Sequence, residues 1–226
     1  MKLKVLGSGS SGNCYILEND SEALIIEAGV SMKEVKVALN FNVKKIKCVI
    51  ISHEHGDHRK YWYEYVRVGI PVFEPYKGEG ECIEFTDSKF QVKAFSLEHD
   101  VPCYGFLITH PDMGRLIYAS DTEFIKWRFK NINHFLVEAN YCRELIPDDI
   151  EETKRQHIFL GHMEINTTCE FLKANKNADL RNVVLLHLSN DNANGALFKA
   201  KAEKVVDCPV CVARPRLTVD VSLTPF

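Results

Sequence analysis

The sequence predicts an α/β protein with two β-sheets that are covered on their outer sides by helices. Each half of the chain opens with segments of strand character and finishes with helical segments. Some strand-like runs are apolar without interruption, as expected of strands that are buried on both faces. Helices that cover two sheets from outside give both kinds of element a buried apolar face. The 226 residues are enough for one large core, so we expect a single domain over residues 1–226.

The first half of the chain is predicted to consist mainly of strands. Residues 47–51 form a β-branched run that we expect to be buried. A helix that begins at Lys60 is stopped by Gly69, shortly before Pro71. The predicted strands are 2–6, 14–17, 23–27, 47–51, 71–73, 90–96, 105–109 and 116–120, and the predicted helices are 32–39 and 60–68.

The second half is predicted to be more helical. Acidic residues near the start of segment 147–156 suit the N-terminus of a helix, where the backbone dipole favours negative charge. The predicted helices are 147–156, 167–175 and 191–205, and the predicted strands are 135–138, 182–186 and 210–221.

Composition and charge limit the class of protein. The chain is 46% hydrophobic and 26% charged, with a formal net charge of −3, which is ordinary for a globular protein. Proteins that bind nucleic acid through their whole surface are usually basic, so any polyanion must bind locally. The chain shows neither a secretory leader nor the roughly 18 apolar residues that span a bilayer. We therefore expect a cytoplasmic protein without a membrane anchor, with its eight cysteines reduced.

Two short motifs are interpreted as structural. The loop GSGSSGN at 7–13 lacks the G-K-[ST] ending of a phosphate-binding loop and does not fit GxGxxG. It predicts a tight connection between strands. Cys208 and Cys211 form a single CxxC without a second one, so we expect them to be packing residues beside a strand rather than zinc ligands or a redox pair.

The most informative stretch is SHEHGDH, residues 52–58, which we call the histidine loop. It directly follows a buried strand. In extended backbone, His53 and His55 point to the same side, and Gly56 permits a sharp turn that lets Asp57 and His58 point at a second position nearby. Burying so many polar groups without partners would be costly. The loop therefore predicts metal ligation.

Three further strand ends carry residues of the types that can bind metals. His99, Asp121 and His187 each follow an apolar run. A single histidine at a strand end is more often structural. Together with the histidine loop, however, these three residues supply what two metal ions need.

HEHGDH, followed by His99, Asp121 and His187 at these spacings, resembles the metallo-β-lactamase superfamily, and the likeness covers essentially the whole chain. GSGSSGN, the "GH" at 161–162 and HLSNDN at 187–192 are similar to the YycJ/WalJ-type exonuclease branch. This resemblance implies the metallo-β-lactamase fold, a four-layer αββα sandwich of two mixed sheets with helices outside.

The resemblance also implies a ligand set for two divalent ions. One ion is expected on His53, His55 and His99, and the other on Asp57, His58 and His187, with Asp121 bridging the two. Nitrogen-rich ligands suit zinc, and manganese or iron are the alternatives. A water shared by two such ions loses a proton near pH ~7, which provides hydroxide for hydrolysis.

Two positions depart from the pattern of the relatives. Glu27 stands where the superfamily normally has aspartate, and is expected to support the histidine loop from behind the ligands. His162 lies in Gly161-His162-Met163, where the branch has GHLSN. It either contacts a substrate phosphate or leaving group, or has a structural role.

The leading interpretation is a dinuclear-metal phosphodiesterase or nuclease acting on DNA or RNA, with Asp57, Asp121 and His162 as catalytic residues. Lys126 and Arg128, in the segment KWRFK, either contact nucleic acid or lie on a solvated helix whose aromatic residues pack inward. The alternatives are a hydrolase of a thioester, lactone, β-lactam or cyclic nucleotide, or a metal-stabilised binding protein without turnover. The complete ligand set argues against the last. The oligomeric state is left open.

Overall fold

The computed structural model describes residues 1–78, 80–85 and 87–224. Thirteen strands are found in these residues: β1 (Lys2–Gly7), β2 (Cys14–Glu18), β3 (Ala23–Ile26), β4 (Ile46–Ile50), β5 (Val72–Phe73), β6 (Cys82–Glu84), β7 (Gln91–Leu97), β8 (Cys103–His110), β9 (Gly114–Ala119), β10 (His134–Glu138), β11 (Asn182–Leu186), β12 (Val210–Val212) and β13 (Thr218–Asp220). The α-helices of the same residues are α1 (Met32–Ala38), α2 (Gly56–Arg59), α3 (Trp62–Val66), α4 (Glu152–Gly161), α5 (Ile165–Asn175) and α6 (Gly195–Glu203).

The strands form two mixed sheets. The first has the order β13-β1-β2-β3-β4-β5; β1 is antiparallel to β2 and β13, whereas β4 is parallel to β3 and β5. The second has the order β12-β11-β10-β9-β8-β7-β6; β9 to β12 pair in parallel, and β6 is antiparallel to β7. The predicted α/β fold class, with two mixed sheets and helices, is confirmed.

One compact unit comprises Met1–Ala94, Ile108–Gly114 and Ala213–Phe226. The fully buried strands β2 and β3 lie at its centre. Val35 of α1 and Tyr65 of α3 pack into the same core as Ile25 and Val49. Because β3 and β4 are parallel, their carboxyl ends lie at the same edge of the sheet, and the histidine loop begins there.

The other unit comprises Phe95–Leu107 and Arg115–Val212. Its core includes Phe135 of β10, Leu172 of α5 and Phe198 of α6. Strands β10 and β11 run parallel, with Glu138 paired to Leu186. This register places Glu138 beside the residue that follows β11, which is His187. The single domain expected over residues 1–226 stays a prediction.

The structure corrects three element predictions. The helix expected at 147–156 runs instead over Glu152–Gly161, with Glu151 as its N-cap. The prediction began too early because several acidic residues from 148 onward each suit the first turn of a helix. The strand expected at 210–221 is two strands in different sheets, since Pro215 and the left-handed backbone of Arg216 (φ 71°) interrupt it. Residues 126–130, the segment KWRFK, are not helical.

All eight cysteines are free thiols, as expected. Of the eight, Cys82 is exposed, Cys208 and Cys211 are half-buried, and the other five are buried. Within the residues described above, no helix combines the length and apolar character that crossing a membrane requires.

Candidate metal centre

In the first unit, the histidine loop brings three imidazole rings together. The ring of His53 lies with its centroid 4.7 Å from that of His55 and 4.2 Å from that of His58. His53 and His58 are completely buried. The carboxylate of Asp57 is 3.3 Å from Nε2 of His58. The loop therefore brings nitrogen and oxygen donors close together, and the two separate positions expected from the sequence stay a prediction.

Glu27 and Asn13 hold the histidine loop from behind. The completely buried carboxylate of Glu27 accepts the backbone N–H of Ser52 at 3.3 Å and lies 3.4 Å from Nδ1 of His58. The side-chain amide of Asn13 donates to Asp57 Oδ2 at 3.0 Å and lies 2.9 Å from His58 Nε2. The longer side chain of Glu27 thus still reaches the loop.

The last residue of GSGSSGN is also fixed through its backbone. The N–H of Asn13 donates to the carbonyl of Asp57 at 2.7 Å, and its carbonyl accepts the N–H of Gly29 at 2.9 Å. The predicted strand connection is confirmed, since the loop joins β1 to β2. The contacts of Asn13 with the histidine loop are a feature that the sequence interpretation missed.

In the second unit, four acid and imidazole side chains from four chain segments converge, and we call them the Glu138 cluster. Asp121 follows β9, Glu138 ends β10, His162 follows α4 and His187 follows β11. One donor atom from each lies within 4.8 Å of those of the other three. Of these four, Asp121, His162 and His187 were predicted from the sequence, and Glu138 was not.

Glu138 is the centre of this cluster. Its completely buried carboxylate lies 2.8 Å from Nδ1 of His162 and 3.2 Å from Nδ1 of His187. The other oxygen accepts the backbone N–H groups of Thr122 at 3.0 Å and Met163 at 3.3 Å. Both imidazoles therefore direct Nδ1 toward the same carboxylate, which orients Nε2 as the second donor atom of each ring.

The charges of the Glu138 cluster lower the pKa of Glu138 and raise that of His162. Burial raises the pKa of Glu138, but the charge and hydrogen bonds of His162 and His187 outweigh burial and lower it. Burial lowers the pKa of His162, but Glu138 outweighs burial and raises it. The geometry thus favours an imidazolium at His162 facing a carboxylate.

His99 also lies in this unit, after β7. Its Nε2 is 3.0 Å from Asp100 Oδ1, and its ring centroid is 6.4 Å from that of His162. Gly161 lies against the same ring, because a Cβ there would be 3.6 Å from His99 Cε1. The absence of a side chain at 161 leaves room beside this histidine.

The predicted substrate contacts Lys126 and Arg128 lie in a loop. Lys126 Nζ is 2.9 Å from Glu98 Oε1, and the Trp127 indole N–H donates to the carbonyl of Ser96 at 2.9 Å. Phe129 packs inward, with its ring centroid 5.0 Å from that of Phe95. The segment KWRFK thus has one inward and one outward aromatic residue and is not the solvated helix of one interpretation. The contact with nucleic acid stays a prediction.

The donor chemistry of both units fits divalent metal ions. Imidazole nitrogens and carboxylate oxygens of buried and half-buried side chains form each set, which is the combination that zinc prefers and that manganese and iron accept. The first unit provides His53, His55, Asp57 and His58, and the second provides His99, Asp121, His187 and the neighbouring Glu138 and His162.

Comparisons with known proteins agree with the predicted resemblance. The family model of the Metallo-beta-lactamase superfamily matches residues 7–60. Exodeoxyribonuclease YycJ of Bacillus anthracis is 25% identical over 241 residues, which cover 92% of this chain and 89% of the relative. Exodeoxyribonuclease WalJ of Streptococcus pneumoniae strain D39 is 25% identical over 231 residues, with 84% and 82% covered.

A solved structure supports the fold independently. The metallo-beta-lactamase fold protein YhfI from Bacillus subtilis superposes with a TM-score of 0.68 at 17% identity, over 96% of this chain and 98% of that one. The resemblance to the metallo-β-lactamase superfamily that the sequence predicts is therefore confirmed, and the chain has the fold of that superfamily.

Proposed function

We propose that this protein is a metal-dependent hydrolase that cleaves phosphodiester bonds in nucleic acid. The proposal depends on one observation. In each unit, imidazoles and carboxylates converge at the ends of buried strands, around His53 in the first unit and around Glu138 in the second. Two curated relatives are named exodeoxyribonucleases, which favours DNA as the substrate. The cytoplasmic location expected from the sequence belongs to the same proposal.

The proposed centre holds two divalent ions, with zinc as the expected metal. We assign His53, His55 and His99 to one ion and Asp57, His58 and His187 to the other, with Asp121 shared. Bound there, such ions would lower the pKa of a water toward neutrality and neutralise charge on the phosphoryl oxygens.

The protein's own side chains prepare this chemistry. Glu27 and Asn13 fix the orientations of His58 and Asp57 through the contacts described above. Such supporting residues typically change metal affinity about 10–100-fold when they are replaced. The left-handed backbones of Glu27, Asp121 and His187, with φ between 53° and 65°, are uncommon outside glycine. Residues in such conformations cluster at functional sites.

We assign His162 the role of proton donor to the leaving oxygen. Its Nδ1 faces Glu138 at 2.8 Å, which keeps the ring oriented and favours its protonated form. Nε2 then carries the proton that a departing alkoxide needs. Glu138 positions His162, and the sequence interpretation did not identify this role.

Hydrolysis assays with protein of measured metal content test the proposal. The substrates are labelled single- and double-stranded DNA, RNA and bis-p-nitrophenyl phosphate, with zinc and manganese compared. We expect metal-dependent cleavage of DNA and of the small diester, and product lengths distinguish stepwise from internal cleavage. Hydrolysis of a thioester, lactone or β-lactam with no cleavage of any phosphodiester would contradict it. So would metal binding without turnover of any of these compounds.

A further inference from the structure

A cavity of about 270 Å³ lies in the second unit, between the loop at 124–128 and helix α5. Its walls include Phe124, Lys126, Trp127, Arg128, Glu170 and Phe171. Pockets for drug-sized ligands begin at about 300 Å³, so this cavity suits one flat group of the size of a nucleobase. None of the proposed metal ligands lines it.

Two aromatic side chains on this wall are open to solvent. Phe124 is 43% exposed and Trp127 is 42% exposed. The indole of Trp127 is also fixed in place, because its N–H donates to the carbonyl of Ser96 at 2.9 Å. An aromatic face that is held rigid loses little conformational entropy when a ligand stacks on it.

Cations flank these aromatic faces. Lys126 Nζ lies 5.4 Å from the centroid of the Trp127 ring and 2.9 Å from Glu98 Oε1, which holds it beside the indole. The exposed Arg128 follows on the other side of Trp127 in the chain. Glu170 of the wall and Glu98 beside Lys126 offset these two positive charges, so the cations act locally rather than through a strongly basic surface.

We propose that this cavity binds one unpaired nucleobase of a single-stranded polynucleotide, and this inference rests on the proposed function. The base stacks on Trp127 and Phe124, and its flanking phosphates lie near Lys126 and Arg128. Aromatic faces interleaved with cations are how single-strand binders hold their ligands without reading sequence. Bases in a duplex are stacked and paired, so they offer no free face. The cavity therefore selects single strands.

The test measures binding without turnover. A fluorescein-labelled single-stranded oligonucleotide with phosphorothioate linkages, which resist hydrolysis, is titrated with the metal-containing protein, and anisotropy gives the affinity. Trp127→Ala and Phe124→Ala should each weaken binding roughly tenfold, since stacking of one base contributes about that much. Trp127→Phe, which keeps an aromatic face, should recover most of the affinity. Phe41→Ala removes a 72% exposed aromatic residue of the first unit and should bind as the wild type does.

The duplex form of the same oligonucleotide provides the second arm. We expect the unmodified protein to bind it more weakly, and Trp127→Ala to leave that weaker binding unchanged. Equal losses on single strand and duplex, or wild-type affinity in Trp127→Ala, would overturn the inference. Because the assay involves no catalysis, such a result is separable from failure of the proposed function, which is read from hydrolysis by the unmodified protein.

Discussion

Asp121 illustrates how much chemistry a single residue carries in this protein. Its side chain is almost completely buried, its backbone is left-handed with φ 55°, and its carboxylate lies 3.5 Å from His162 and 3.4 Å from His187. A buried carboxylate in a conformation of this kind persists only when the surrounding structure holds it there.

Replacing Asp121 by asparagine should remove metal and activity together. The amide keeps the shape of the side chain but not its charge, so we expect metal content to fall and hydrolysis of bis-p-nitrophenyl phosphate to drop by two orders of magnitude or more. Metal analysis by mass spectrometry and initial rates measure both. The control is Asp149→Asn, which makes the same change at an exposed aspartate. Full activity in Asp121→Asn would remove this residue from the centre.

The role assigned to His162 predicts a difference between substrates. His162→Ala should slow cleavage of DNA about 10²–10⁴-fold, because the departing alkoxide needs a proton. The p-nitrophenolate group leaves without one, so bis-p-nitrophenyl phosphate should be affected much less. Gel assays and absorbance give the two rates. The control is His157→Ala, an exposed histidine whose ring centroid lies 5.6 Å from that of His162. Equal losses on both substrates would show a structural role instead.

At the scale of elements, the histidine loop depends on close contact between three backbone segments. Gly29 lies so near Asp57 that a Cβ would be 1.7 Å from its carbonyl oxygen and 2.5 Å from the backbone nitrogen of Asn13. The loop ending in Asn13, the turn after β3 and the first turn of α2 can therefore meet only if residue 29 has no side chain.

Gly29→Ala should consequently destabilise the protein by about 1–3 kcal/mol, as overpacking does, and should lower metal content because Asp57 must move. Gly56→Ala is the matched control, since its new Cβ would meet nothing within 4 Å; its effect should stay within about 0.5 kcal/mol. Urea denaturation measures both variants. Equal stability of the two would mean that the backbone relaxes without cost.

At the scale of the whole molecule, Glu22 of the first unit makes the stability of the fold depend on pH in the acidic range. Glu22 is buried and accepts hydrogen bonds from Ser88, from the backbone of Lys89 and from Nε2 of His110 at 3.1 Å. Nδ1 of His110 accepts the N–H of Asp112, so the hydrogen lies on Nε2. Burial raises the pKa of Glu22, but these hydrogen bonds outweigh burial and lower it.

A carboxyl group whose pKa is lowered by folding stabilises the folded state above its unfolded pKa, and this contribution disappears as pH falls through the folded value. Glu22→Gln should therefore cost about 1–3 kcal/mol at neutral pH, and the difference from wild type should shrink below the ordinary range of glutamate. Urea midpoints across the acidic range measure this. Glu203→Gln, on a surface ion pair with Lys199, should change little. A constant difference at every pH would contradict the assignment.

Much of this fold can be predicted from local sequence patterns. Where the prediction failed, the failure has a physical reason. Buried strands such as β11 are visible because four consecutive residues, 183–186, are apolar and the residues on either side of them are not. Strand β13 was not separated from β12, because pairing partners are distant in sequence and only Pro215 marks the break. Helix α4 was placed five residues early, since its acidic N-terminal region offers several equivalent starts.

The candidate centre shows the same division. His99, Asp121 and His187 were found because each follows an apolar strand. Glu138 carries the same signal, after Phe135-Leu-Val, but it was assigned to the strand itself and only the parallel register shows that it lies beside His187. Asn13 gave no signal, because an amide that supports ligands from a glycine-rich turn looks like any other turn residue.

The distribution of thiols has a practical consequence. Burial raises the pKa of Cys14 far above its usual range and that of Cys208 to about 11, which disfavours the reactive thiolate at both positions. Cys82, on β6, is the exposed cysteine of the eight. A maleimide fluorophore should accordingly attach there first, giving a site-specific label without mutagenesis.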